Sequence, residues 1–132
     1  MKTLNILLIE DNDGDIFLAR QMLKHAAINH TISILNDGET AIDFFNNLEE
    51  RSGTKFPDII LLDINLPKKN GFEVLSVIRS SDKTRHLPVI ILTTSSDITD
   101  REFAEHYKAD RYIPKPLCAE DFKKAVVALI PE

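Results

Sequence analysis

Two runs of four consecutive apolar residues constrain the fold more than any other feature of the sequence. They are Ile59–Leu62 and Val89–Leu92, and neither alternates apolar with polar residues as a half-exposed strand does. A strand that is apolar on both faces is covered on both faces, which is typical of a parallel sheet with helices on each side. We therefore expect both runs to be central strands of such a sheet.

Three further runs complete a set of five strands, at Leu4–Ile9, Thr31–Leu35 and Tyr112–Ile113. Each run is followed by apolar residues at helical spacing. The five stripes begin at Leu18, Ala41, Val74, Phe103 and Phe122. Five β-α units within 132 residues predict an α/β protein with an open, doubly wound parallel sheet, for which 2-1-3-4-5 is the commonest five-strand order.

Finer features of the helices also follow from the sequence. Asp13 and Asp37 are suitable N-caps for the first two helices. The first helix has more apolar residues than one buried stripe holds, so we expect Ile16 or Phe17 to be partly exposed. The buried stripe itself consists of Leu18, Ala19, Met22, Leu23 and Ala26. The lone cysteine, Cys118, is expected to be a buried and unreactive thiol.

Composition excludes several classes of protein. A net charge of −5 argues against binding nucleic acid through its phosphates, which requires a basic face. One cysteine forms neither an internal disulfide nor a cysteine-rich zinc site. No apolar run approaches the roughly 18 residues of a membrane span, and no signal peptide is visible. The sequence thus predicts one cytoplasmic domain over residues 1–132 with no output domain and no membrane contact.

The strand ends place acidic residues where ligands bind to such sheets. In the order 2-1-3-4-5, strands 1 and 3 flank the point at which the strand order reverses, and ligands bind at their carboxyl ends. Glu10 and Asp11 follow strand 1, and Asp63 follows the apolar part of strand 3. Carboxylates this close repel one another unless a cation or protons intervene. The pattern therefore predicts a site for a hard cation such as Mg²⁺.

Two further strands contribute a hydroxyl group and an ammonium group to the same edge. Thr93 follows strand 4, and Lys115 follows strand 5. An aspartate can act as a nucleophile that forms an aspartyl-phosphate, while Mg²⁺ and lysine offset charge on the transferred phosphoryl group. The set predicts a site that holds a metal and a phosphoryl group together.

The same residues carry a resemblance to a known family, the receiver domains of bacterial response regulators. The motifs are Glu10-Asp11, residues 60–67 with Gly71 eight positions after Asp63, Leu92-Thr93-Thr94, and residues 112–116, Tyr-Ile-Pro-Lys-Pro. They span almost the whole chain in the family's order. Residues 10–15 and 66–71 further resemble small stand-alone receivers, including those paired with phytochrome-type histidine kinases. The resemblance implies a flavodoxin-like (βα)₅ fold.

The resemblance also implies a role for each site residue. Asp63 accepts a phosphoryl group from a kinase phosphohistidine. Mg²⁺ or Mn²⁺ is bound directly by Asp11 and Asp63, through water by Glu10, and by the backbone carbonyl of Asn65. Thr93 and Lys115 contact the phosphoryl group, Thr93 and Tyr112 form the switch pair, and the bond between Lys115 and Pro116 is cis. Thr94 departs from the small residue often found there, and Cys118 is a poor N-cap for the last helix.

The expected partners are a sensor histidine kinase and a downstream target or phosphotransfer protein. Target binding or self-association is expected to use the face formed by the fourth helix, the fifth strand and the fifth helix. The protein is then a phosphoacceptor and not a turnover enzyme. One alternative is a Mg²⁺-dependent phosphatase of the haloacid dehalogenase type, although the Asp-x-Asp-x-Thr motif of that class is missing after strand 1. A second alternative is a receiver-like scaffold that accepts no phosphate.

Overall fold

The computed structural model describes residues 3–48, 56–93, 102, 105–106, 108–115 and 117–130. Five parallel strands form one sheet in the order β2-β1-β3-β4-β5, as predicted. The strands are β1 Leu4–Ile9, β2 His30–Leu35, β3 Ile59–Asp63, β4 Val89–Thr93 and β5 Arg111–Pro114. The helices whose bounds lie within the described residues are α1 Asp13–Ala26, α2 Gly38–Asn46, α3 Gly71–Ser80 and α4 Ala119–Leu129.

The apolar runs are buried because their alternate residues supply two separate cores. Ile60 and Leu62 face the core beneath α2 and α3, whereas Ile59 and Leu61 face the core beneath α1 and α4. All four of these residues are fully buried. A polar residue at any of these positions would lie under a helix, which explains why the runs show no alternation.

The predicted fourth helix lies largely outside the described residues. Of its stripe, Phe103, Ala104 and Tyr107 are not described, although Glu102, Glu105 and His106 have helical backbone. Thr94 and Pro116, on which the resemblance also bears, lie outside the described residues as well. Within the described part of the chain, no helix has the length and apolar character needed to cross a membrane.

Two of the expectations for α1 are wrong. Its N-cap is Asn12 and not Asp13, because the Asn12 side chain accepts a hydrogen bond from the Asp15 N–H at 2.9 Å. Leu18 belongs to the predicted buried stripe, yet it is 52% exposed. The prediction for Phe17 is confirmed, since its side chain is 59% exposed. Asp37 caps α2 as predicted, accepting the Thr40 N–H at 2.7 Å.

Arg79 connects α3 to the amino ends of β4 and β5, opposite the site at the carboxyl ends of the strands. Its guanidinium lies near the end of α3 and donates to the carbonyls of Arg85, Leu87 and Lys108 at 2.7–3.2 Å. It also pairs with Asp110 at 3.1 Å, and the same Asp110 oxygen accepts the backbone N–H of Val89 at 2.8 Å. One mostly buried cation therefore fixes the starts of β4 and β5 relative to α3.

Replacing this cation should be costly. Arg79→Met is expected to lower the free energy of unfolding by about 2–3 kcal/mol, because three carbonyls and Asp110 lose a charged donor. Arg85→Met is the matched control, since Arg85 makes an exposed ion pair with Asp82, and such pairs contribute less than about 1 kcal/mol. Urea denaturation followed by circular dichroism measures both. Equal losses in the two variants would contradict the anchoring role of Arg79.

Candidate functional site

Three carboxylates converge where β1 and β3 end side by side. Ile9 pairs with Leu62 in the sheet, so Glu10 and Asp63 follow at the same level. Oxygens of Glu10, Asp11 and Asp63 lie within 4.8 Å of one another. Glu10 and Asp63 are buried, at 2% and 4% exposed, and Asp11 is open to solvent. The structure thus brings together the acidic set that the sequence predicts.

Lys115 reaches into this cluster from the end of β5. Its Nζ lies 2.6 Å from Glu10 Oε1, 2.8 Å from Asp15 Oδ2 and 3.5 Å from Asp63 Oδ2. Its own backbone N–H donates to the carbonyl of Thr93 at 2.7 Å, which fixes the residue against the end of β4. The ammonium group therefore offsets part of the carboxylate charge at the edge of the sheet.

The pKa values of Glu10 and Lys115 are both raised, for different reasons. The pKa of Glu10 is raised to about 7, chiefly by burial; the hydrogen bond from Lys115 opposes this rise, and the charge of Asp63 adds to it. Burial alone would lower the pKa of Lys115, but the hydrogen bonds to Asp15 and Glu10 and the charge of Asp63 outweigh it and raise the pKa. Lys115 is thus firmly cationic beside an acidic cluster that it only partly neutralises.

The donor set fits a hard divalent cation. Mg²⁺ is bound in proteins by one or two carboxylates, with water or phosphate oxygens completing its shell. Asp11 and Asp63 supply such carboxylates, whereas both Glu10 oxygens already accept hydrogen bonds, from Lys115 and from the Asn12 N–H at 3.3 Å. An added cation would relieve the repulsion that Lys115 leaves uncompensated.

The loop after Asp63 is held in place by two hydrogen bonds and by the close approach of two glycines. The Asn65 N–H donates to Asp63 Oδ1 at 3.2 Å, and the Gly71 N–H donates to the Ile64 carbonyl at 3.0 Å. A Cβ at Gly71 would lie 2.5 Å from the Asp63 carbonyl oxygen, and one at Gly38 would lie 1.7 Å from the Lys69 carbonyl oxygen. Both helix starts must therefore be glycine for this loop to pack against them.

The predicted switch residues occupy the β4-β5 side of the site. Thr93 is fully buried at the end of β4 and pairs in register with Pro114. Tyr112 pairs with Ile91 and is half-buried against the core beneath α2 and α3. Tyr112 therefore lies close to Lys115 along β5, and Thr93 lies close to it on the neighbouring strand. Their part in a switch, like that of the Asn65 carbonyl in metal binding, stays a prediction.

Asp15 is a site residue that the sequence reasoning missed. It lies in the first turn of α1, four residues after Asp11, which precedes the Asn12 cap. That spacing was the available signal of a site residue. Acidic residues are nevertheless common in the first turn of a helix, because the helix dipole stabilises negative charge there. The structure distinguishes Asp15 from its neighbour Asp13, which is exposed, by its bond to Lys115.

An apolar cavity of about 330 Å³ opens beside Lys115, between α1 and α4. Its wall includes Leu18, Met22, Leu92 and Cys118. Cys118 is exposed, so the prediction of a buried thiol is wrong. It occupies the N-cap position of α4 without a side-chain hydrogen bond to the helix, as expected for a poor cap.

Comparison with known proteins gives the family. The response regulator receiver domain family matches residues 6–127. The probable methanogenesis regulatory protein FilR2 of Methanothrix harundinacea is 39% identical over 121 residues, which cover 92% of this chain and 77% of FilR2. Response regulator Rcp1 of Synechocystis sp. is 37% identical over 121 residues, which cover 92% of this chain and 82% of Rcp1.

Solved structures agree with this assignment. The Mn²⁺-bound form of Rcp1 has a TM-score of 0.80 and 34% identity, covering 98% of this chain and 96% of that one. The phosphorylated cyanobacterial phytochrome response regulator RcpA has a TM-score of 0.81 and 32% identity, covering 96% and 91%. The chain therefore belongs to the response regulator receiver domains, the signalling modules of two-component systems.

The contact at Gly71 yields a prediction about stability. Gly71→Ala is expected to lower the free energy of unfolding by about 1–3 kcal/mol, because the added carbon overlaps backbone atoms of residues 63 and 64. Gly14→Ala is the control, since the nearest atom to its Cβ is the Asn12 Oδ1 side-chain oxygen at 3.1 Å, and alanine is favoured over glycine in a helix. Thermal denaturation compares them, and a Gly71→Ala protein as stable as wild type would refute the steric argument.

Proposed function

We propose that Asp63 accepts a phosphoryl group from the phosphohistidine of a sensor histidine kinase, and that the phosphorylated protein signals through a changed protein-binding surface. The observation that carries this proposal is the burial of the Asp63 carboxylate between an acidic pair and the Lys115 ammonium. A carboxylate fixed beside a cation and a cation-binding cluster suits attack on a phosphoryl group. That a phosphorylated RcpA and a Mn²⁺-bound Rcp1 exist among similar proteins supports the proposal.

In the transfer, an oxygen of Asp63 forms the new bond to phosphorus while the bond from phosphorus to the histidine nitrogen breaks. The nitrogen keeps the bonding electron pair. Asp11 and Asp63 would ligate Mg²⁺ or Mn²⁺, with Glu10 acting through water and Asn65 offering its carbonyl. The metal, when bound, neutralises charge on the phosphoryl oxygens. Lys115 supplies a second positive charge, and the Thr93 hydroxyl hydrogen-bonds the phosphoryl group.

The surface beside the site suggests where each partner binds. Phe17 and Leu18 are more than half exposed on α1, and Leu18 lines the apolar cavity beside Lys115. Large apolar side chains at such a position suit docking of a kinase helix. Output, either to a downstream protein or through self-association, would use the face that includes β5 and the last helix, α4, which is the fifth helix of the prediction. Movement of Thr93 and Tyr112 would alter this face. A phosphoryl group shifts this equilibrium only by its different affinity for the two arrangements.

The phosphorylation site can be tested by intact mass. After incubation with acetyl phosphate and Mg²⁺, the wild-type protein should gain one acid-labile adduct of about 80 Da, as expected for an aspartyl-phosphate. Asp63→Asn should lose the adduct, while Asp13→Asn, which changes an exposed aspartate of α1, should retain it. A full adduct on Asp63→Asn would refute the assignment. Steady release of phosphate with rapid turnover would favour a phosphatase, and no reaction at all would favour a scaffold.

The metal site can be tested by calorimetric titration with Mg²⁺. Asp11→Asn should weaken binding by about tenfold or more, because an exposed direct carboxylate ligand is lost. Glu10→Gln should weaken it less, since the Glu10 oxygens are already committed to Lys115 and Asn12. Asp13→Asn serves as the charge-matched control. Equal Mg²⁺ affinities for the Asp11 and Glu10 variants would contradict the division between direct and water-mediated ligands.

A further inference from the structure

Lys115 is held closer to two other acids than to the proposed phosphoacceptor. Its Nζ is 2.8 Å from Asp15 and 2.6 Å from Glu10, but 3.5 Å from Asp63. Its side chain is only 12% exposed, so these contacts largely define the surroundings of the ammonium. The distance to Asp63 exceeds that of a charged hydrogen bond, which is typically near 2.7–2.9 Å.

Asp15 differs from the other acids that surround Lys115. Glu10 and Asp63 belong to the cluster that suits a cation, whereas Asp15 comes from α1 and is not one of the three clustered carboxylates. Its backbone is fixed, because its N–H donates to the Asn12 cap. Asp15 therefore holds Lys115 from the side of the helix, through a carboxylate that lies outside the cation-binding cluster.

We propose that Asp15 is a positioning residue that holds Lys115 in the unphosphorylated state and so opposes phosphorylation of Asp63. The inference rests on the proposed function. A phosphoryl group on Asp63 requires Lys115 as its ion-pair partner, and any displacement of the ammonium towards it weakens the contact with Asp15. The charge of Asp15 also repels the incoming phosphoryl oxygens. Both effects act in the same direction, and both are lost when that charge is removed.

The test uses beryllofluoride, an acyl-phosphate mimic, titrated into the full chain in the presence of Mg²⁺ and followed by nuclear magnetic resonance. Asp15→Asn keeps the size of the side chain and removes its charge. It should bind beryllofluoride about threefold to fivefold more tightly than wild type, the range expected from one partly exposed ion pair. Asp15→Glu restores the charge and should return the affinity towards the wild-type value.

Asp13→Asn is the matched control, because it removes the same charge from the same turn of α1 at an exposed position. Its beryllofluoride affinity should equal that of wild type, which separates the Lys115 contact from a general loss of negative charge. Affinity of Asp15→Asn at or below the wild-type value would overturn the inference while leaving the proposed function intact, as would an equal gain in Asp13→Asn. If wild type itself fails to bind beryllofluoride, the proposed function falls and this inference with it.

Discussion

The burial of two carboxylates at the ends of neighbouring strands is the constraint on which the site depends. Glu10 and Asp63 are both almost inaccessible to solvent, and charges are buried only when they are paired or coordinated. Lys115 supplies the pairing, and its backbone is fixed to the end of β4 through the Thr93 carbonyl. A single ammonium group thus links side chains at the ends of three strands, β1, β3 and β5, that are distant in sequence.

The sheet was largely predictable, because its central strands leave little choice. A run such as Ile59–Leu62 is apolar on both faces only when helices cover both, and the carboxyl ends then place Asp63 beside Glu10. The acidic cluster and Lys115 followed from the same reasoning. The family resemblance added the roles of the residues, which spacing alone does not provide.

What the sequence did not predict depends on local competition between similar groups. Asn12 and Asp13 are both good caps, and the choice of Asn12 is decided by which side chain meets the Asp15 N–H. Leu18 fits a helical stripe, but the cavity between α1 and α4 leaves it exposed. Asp15 resembles any acidic residue in a first helical turn until the position of Lys115 is known. Each of these depends on tertiary contacts that periodicity does not encode.

The two glycines that begin α2 and α3 determine how the loop after Asp63 can vary among related sequences. The side chains of Lys68 and Lys69 are exposed within this loop, so they can change with little effect on the acidic cluster. Lys68 has a left-handed backbone with φ 69°, which disfavours β-branched residues there. Gly38 and Gly71 have no such freedom, because any side chain would collide with the backbone at Lys69 or Asp63. The loop can therefore acquire new partner-binding surfaces by substitution, while the position of the carboxylate beneath it is preserved by two residues that contribute no functional group.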